Sequence, residues 1–107
     1  MMDESAYDKL VAKTFRRVED ALAEVDPDVV ELTATGDMLT LQFASGVRCI
    51  LNTQRAVRQL WLAARASAWH FSYDPAAQSW QDDKGRGDLW GVLGNVVKEL
   101  SGQNLLA

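Results

Sequence analysis

Residues Asn52 to Phe71 read N-T-Q-R-A-V-R-Q-L-W-L-A-A-R-A-S-A-W-H-F. Read with a period of two, Gln59 and Trp61 fall on one face of a strand and Leu60 and Leu62 on the other. The leucines mark the face that enters a core. A tryptophan on the opposite face, bracketed by amides, is an uneconomical choice for a merely solvated surface, so this face reads as one built to touch something.

The flanking sequence supplies the rest of a domain. Upstream, Tyr7, Leu10, Val11, Thr14, Phe15, Val18, Leu22 and Val25 follow the three-and-four spacing of one helical face, which predicts a helix from Glu4 to about Val25. Pro27 stops it, because the residue before a proline avoids the helical region. V-V-E-L-T-A-T and L-T-L-Q-F then alternate as strands around a Gly36-Asp37 turn. A Ser45-Gly46 turn leads to V-R-C-I-L-N, with Val47, Cys49 and Leu51 inward. An Asn52-Thr53-Gln54 turn, the strands Q-L-W-L-A-A and W-H-F-S-Y, and a short strand at Trp80 follow. Asp88 is placed to cap a last helix striped by Leu89, Trp90, Leu93, Val96, Val97 and Leu100, which Gly102 would end. Gly91 and Gly94 within it either allow close approach to the sheet or soften the helix. Trp69, Trp80 and Trp90 read as core or core edge, and Gln103 to Ala107 as a tail whose two leucines could fold back over the helix groove.

Helix, five or six antiparallel strands, helix is the signature of an α+β two-layer sandwich, with both terminal helices on one face of the sheet and the other face open. At 107 residues, 48% hydrophobic and 24% charged, one domain spanning residues 1–107 is expected. No run approaches the roughly 18 apolar residues of a membrane helix, and M-M-D-E-S lacks the basic start of a signal peptide, so a cytoplasmic protein is expected. The single cysteine, Cys49, in a strand-like run, reads as a small buried hydrophobe. With one Cys, one His and no Gly-rich strand-to-helix turn, no nucleophile with its base can be assembled, so side-chain catalysis is not expected.

The net charge of −4 conceals an asymmetry: residues 1–37 carry ten acids against four bases, the remainder five acids against seven bases. The acidic end repels nucleic acid and anionic lipid, and attracts metal cations or a basic protein patch. On a helical projection Glu4, Asp8 and Glu19 line one border of the apolar stripe. Asp20 and Glu24 pair farther round, and Asp26, Asp28 and Glu31 extend the acidity into the first strand. Carboxylates gathered in this way bind multivalent cations by summed charge; the bland alternative is an ordinary solvated helix face. Lys9, Lys13, Arg16 and Arg17 interrupt the helix, and an Arg16–Asp20 pair at i, i+4 would neutralise part of the field.

Asn52 and Gln54, then Gln59 with Trp61, Leu62 and Ala63, then Trp69, His70 and Phe71 together resemble the signature of the bacterial frataxins. With the acidic helix before them and the Trp90 helix after them, the resemblance covers nearly the whole chain. Two positions depart from the family pattern: Ala56 replaces a proline after the Asn-x-Gln turn, and Ser67-Ala68 replaces Gly-Gly, which puts loop geometry in question. The resemblance implies an iron-binding protein that regulates iron-sulfur cluster assembly by docking on the cysteine desulfurase and its scaffold machinery. Its acidic ridge would be Glu4, Asp8, Glu19, Asp20, Glu24, Asp26, Asp28 and Glu31, strongest from Glu19 to Asp28, and it would hold iron weakly. Glu19, Asp20, Asn52, Gln54, Gln59, Trp61 and His70 would carry the partner contact. His70, the only histidine, suits an interface better than a metal site, with a supplementary cation ligand as its second role. The alternatives are a ferroxidase, and an iron store or chaperone in which iron would drive a monomer into oligomers.

Overall fold

The computed structural model describes residues 2–105. Helix α1 (Glu4–Leu22) begins where the Asp3 carboxylate accepts a hydrogen bond from the Ala6 N–H at 2.8 Å, which satisfies one of the free amides of the first turn. It ends at Leu22, three residues short of the expected Val25. There the Ala23 N–H turns to the Asp20 carbonyl at 3.3 Å, and the Asp26 carboxylate and carbonyl collect the amides of Asp28, Val29 and Val30. Pro27 bars continuation, but the Asp26 turn unwinds the chain before the proline is reached.

Six strands follow as a meander in which each pairs antiparallel with its sequence neighbour: β1 (Val30–Thr35), β2 (Met38–Phe43), β3 (Arg48–Gln54), β4 (Gln59–Ala64), β5 (Ser67–Asp74) and β6 (Ser79–Asp82). Helix α2 (Leu89–Ser101) closes the chain, capped as expected by Asp88, whose carboxylate accepts from the Gly91 N–H at 3.2 Å, and by Gly102 at φ 75°. Gly91 faces that cap carboxylate and Gly94 faces open space, so neither glycine serves a close approach to the sheet. Leu105 packs against the core as the tail reading anticipated, while Leu106 lies outside the described residues.

Two loop expectations change. Asn52 to Gln54 form the end of β3 rather than a turn; the reversal is made by a 3-10 turn at Arg55–Val57, with Arg58 in the left-handed region at φ 54°. Amides pair into a strand as readily as into a turn when one face of the sheet stays wet, and Asn52 pairs with Trp61 and Gln54 with Gln59. Ser67 and Ala68 lie inside β5, and the left-handed position of that hairpin falls on Arg65 at φ 55°. The two residues that replace glycines therefore occupy extended backbone that any side chain tolerates.

Register decides which side chains meet the helices. Leu39, Leu51 and Leu62 stand abreast and buried, as do Leu60 and Phe71 one row along, and Tyr7, Val18, Leu93 and Val97 cover them from α1 and α2. Burying each such side chain stabilises the fold by about 1.5–3 kcal/mol. Polar links fix the layers: the Trp80 indole N–H donates to Thr14 Oγ1 at 3.0 Å, and the Arg17 guanidinium lies 3.8 Å over the Trp90 ring, joining α1 to α2. Cys49 is wholly buried beneath them, where burial pushes its thiol up to about 12. Trp80 is buried, and Trp69 and Trp90 sit at the core edge. Among the described residues no helix is long and apolar enough to cross a membrane.

Candidate functional site

The face of the sheet turned away from the helices carries the residues the sequence singled out. Pairing sets Asn52, Trp61 and His70 abreast in β3, β4 and β5, and Gln54, Gln59 and Ser72 abreast in the next row of that face. Asn52, Gln54, Gln59, Trp61 and His70 thus converge on one surface. The Trp61 and His70 rings stack, with centroids 4.1 Å apart and planes inclined by 14°. Trp61 therefore lies against its cross-strand neighbour in β5. The indole N–H donates to Gln59 Oε1 at 2.8 Å, and Gln59 Nε2 donates to Ser72 Oγ at 3.0 Å and to Asp83 Oδ2 at 2.6 Å. Ser72 donates in turn to Asp83 Oδ1 at 2.9 Å.

This face is pinned from beneath. Tyr7, fully buried in α1, donates its hydroxyl to the Gln59 carbonyl at 2.6 Å and accepts from the Gln54 N–H at 3.2 Å, so it holds together the two strand ends that carry the amides. Burial raises its pKa above the ordinary phenol value. At the far edge Asp82 is buried and takes a two-pronged contact from Arg86, at 2.9 and 3.2 Å, plus the backbone N–H groups of Lys84 and Arg86. The Arg86 guanidinium holds the Asp82 carboxyl down at about 2. Arg86 also donates to the Ala68 carbonyl at 2.8 Å, anchoring the β6–α2 loop against the start of β5.

The eight acidic residues from Glu4 to Glu31 that the resemblance assigns to a ridge are all exposed, and they run along α1 and on into β1. Glu4 and Asp8 lie at the start of α1 and Glu19, Asp20 and Glu24 at its end; eleven residues of helix put about 16 Å between Asp8 and Glu19. Asp8 is ion-paired to Arg55, which also meets Asp37 at 3.2 Å. Asp26 and Asp28 occupy the turn into β1. Glu31 sits on β1 with the open face, paired in register with Gln42 and through it with Arg48. The anticipated Arg16–Asp20 ion pair does not form among the described residues, where the ion pairs involve Arg55, Arg65 and Arg86, and Arg17 is turned toward Trp90 instead. Among the described residues no three His, Cys, Asp or Glu side chains converge to hold a metal ion. A resident metal cage does not fit this donor set; what remains is a field of exposed carboxylates from Glu19 to Asp28.

Against this geometry, the profile of the frataxin-like domain matches residues 1–103. The chain belongs to the frataxin-like family. This frataxin-like chain is 35% identical over 104 residues to the iron-sulfur cluster assembly protein CyaY of Pseudomonas aeruginosa, covering 97% of this chain and 95% of the relative. The CyaY of Stutzerimonas stutzeri is 38% identical over 104 residues, with 97% and 94% covered. In fold, the frataxin of Psychromonas ingrahamii superposes with a TM-score of 0.88 at 24% identity, covering 97% of this chain and 96% of that one. A trimeric frataxin of Saccharomyces cerevisiae, complexed with ferrous iron, superposes with a TM-score of 0.71 at 19% identity over 96% and 89% of the two chains. The two-layer architecture read from the sequence is the architecture of this family.

Three contributors to the site escaped the sequence reading. Ser72 was within reach, since the alternation of β5 puts it on the face of His70. Tyr7 was read only as part of an apolar stripe, because nothing local reveals where its hydroxyl ends. Asp83 follows β6 and meets Gln59 across 24 positions, a contact that only strand order and register create.

Proposed function

We propose that this frataxin-like chain acts in cytoplasmic iron-sulfur cluster assembly, docking on the cysteine desulfurase of the assembly machinery and carrying loosely held iron. The observation that carries the reading is the convergence of Asn52, Gln54, Trp61 and His70 on a sheet face that, among the described residues, neither helix covers, in a protein whose relatives are named for iron-sulfur cluster assembly. Aromatic side chains held rigid at a surface lose little entropy on binding and are favoured anchors. The exposed carboxylates Glu19, Asp20, Glu24, Asp26 and Asp28 supply long-range attraction to a basic partner. They also offer iron one or two oxygens at a time, which suits a cargo ion better than a fixed cofactor. Glu4 and Glu31 add charge at the margins, and Asp8 contributes little beyond its pair with Arg55.

The test is calorimetric titration of the desulfurase. Raising salt from about 0.1 M to about 1 M shortens the screening length from about 10 Å to about 3 Å, so affinity is expected to fall with salt and with charge reversal at Glu19 and Asp20. Trp61→Ala is expected to weaken binding at every salt concentration. Affinity indifferent to all three changes overturns the reading. The trimeric, ferrous-complexed yeast frataxin favours a second reading, an iron store that assembles on its cargo. Sedimentation with and without Fe(II) separates the two, since a docking protein stays at its resting size.

A further inference from the structure

We infer that Asp83 is a positioning residue for the sheet-face contact, and that Gln59 acts as its strut rather than as a group that meets the partner. This rests on the docking role proposed above and assigns the labour within that surface. A glutamine side chain has two N–H donors and one carbonyl oxygen. In Gln59 both donors are engaged, by Ser72 Oγ and Asp83 Oδ2, and the oxygen accepts the Trp61 indole N–H. Ser72 closes the ring by donating to the other Asp83 oxygen at 2.9 Å. The Asp83 backbone N–H donates to the His70 carbonyl at 2.9 Å, so one residue fixes the strand of His70 directly and the indole of Trp61 through Gln59. These are the two rings stacked at 4.1 Å. Asn52 and Gln54 differ from Gln59: among the described residues their side-chain amides make no hydrogen bond, and those are the heads left free to read a partner.

The polarity of the network makes the inference testable by exchange. Asp83→Ala removes both oxygens that Gln59 and Ser72 meet, and Gln59→Glu sets a second carboxylate against Asp83 at a 2.6 Å contact, so each single variant breaks the link. In the double variant Gln59→Glu, Asp83→Asn the new amide donates to the new carboxylate, whose other oxygen still accepts from Trp61. On ¹⁵N-labelled full-length protein, the Trp61 indole resonance is expected to move in each single variant and to return toward its original position in the double. Affinity for the desulfurase should fall about 3- to 10-fold in each single variant, the scale of one hydrogen bond, and recover to within about twofold in the double. Thermal unfolding of all three confirms that the comparison is made between folded proteins. An indole resonance unmoved by Asp83→Ala, or a double variant no closer to the original than the singles, overturns the inference. If the resonance is lost and rescued as expected while Trp61→Ala leaves desulfurase affinity intact, the positioning role stands and the docking role falls.

Discussion

Removing one oxygen from the core should loosen the candidate surface from below. Tyr7 is fully buried, and its hydroxyl sits between the ends of β3 and β4, accepting from the Gln54 N–H at 3.2 Å and donating to the Gln59 carbonyl at 2.6 Å. Tyr7→Phe keeps the ring, its packing and its edge-on contact with Trp80 at 6.1 Å, and deletes only the relay. A backbone donor and acceptor in a half-buried setting are left without partners, a loss of about 2 kcal/mol. In a domain near this size that corresponds to a fall of about 10 °C in Tm. A second signature lies in the pH dependence. Burial raises the Tyr7 pKa above its ordinary 10.0, so the unfolded chain gives up this proton first as pH rises. The stabilisation is whole below pH 10.0 and declines above it, with a limiting slope of about 1.4 kcal/mol per pH unit, and Tyr7→Phe removes that share of the decline. Urea unfolding followed by circular dichroism between neutral and alkaline pH, with hydrogen exchange at the Gln54 amide, measures both effects. A loss below about 0.5 kcal/mol together with unchanged protection at Gln54 would refute the claim that this hydroxyl ties the strand ends together.

Cys49, wholly buried, has its thiol pushed from 9.0 up to about 12, so the folded state holds the proton that the unfolded chain releases; stability should fall as pH rises through that window, and Cys49→Ala should show a shallower decline in urea midpoints. Arg86→Ala leaves the buried Asp82 carboxylate without its guanidinium and should lower the urea midpoint, while the Lys84 and Arg86 backbone amides still hold the carboxylate. Because Asp82 is held at about 2 against an ordinary 3.8, the stabilisation it gives is present above 3.8 and lost as pH falls toward 2, an acid limb that Asp82→Asn should flatten.

The parts of the fold that the sequence declared are those whose pattern is repeated locally. The α1 stripe from Tyr7 to Leu22, the opposition of Leu60 and Leu62 to Trp61, and the Asp88 and Gly102 caps each restate one structural choice over several residues, and each holds in three dimensions. Where a segment carried a single ambiguous cue the reading slipped: Asn52 to Gln54 has turn-like amides, yet an uncovered sheet face accommodates them as strand. The candidate site divides in the same way. Alternation alone put Trp61, Gln59 and His70 on the open face, but what each does there depends on partners brought by other strands. The acidic residues show the cost of reading charge along a line. Asp8 is neutralised by Arg55, which lies 47 positions away, whereas Glu31 lies in the first strand as its sequence position indicated. Glu31 on β1 and Trp61 on β4 are three inter-strand gaps apart, about 14 Å, a span that one protein–protein contact covers easily. That separation exceeds the screening length of about 8 Å at physiological salt, so charge at the acidic margin can steer a partner toward the sheet without altering how the Trp61–His70 stack is held.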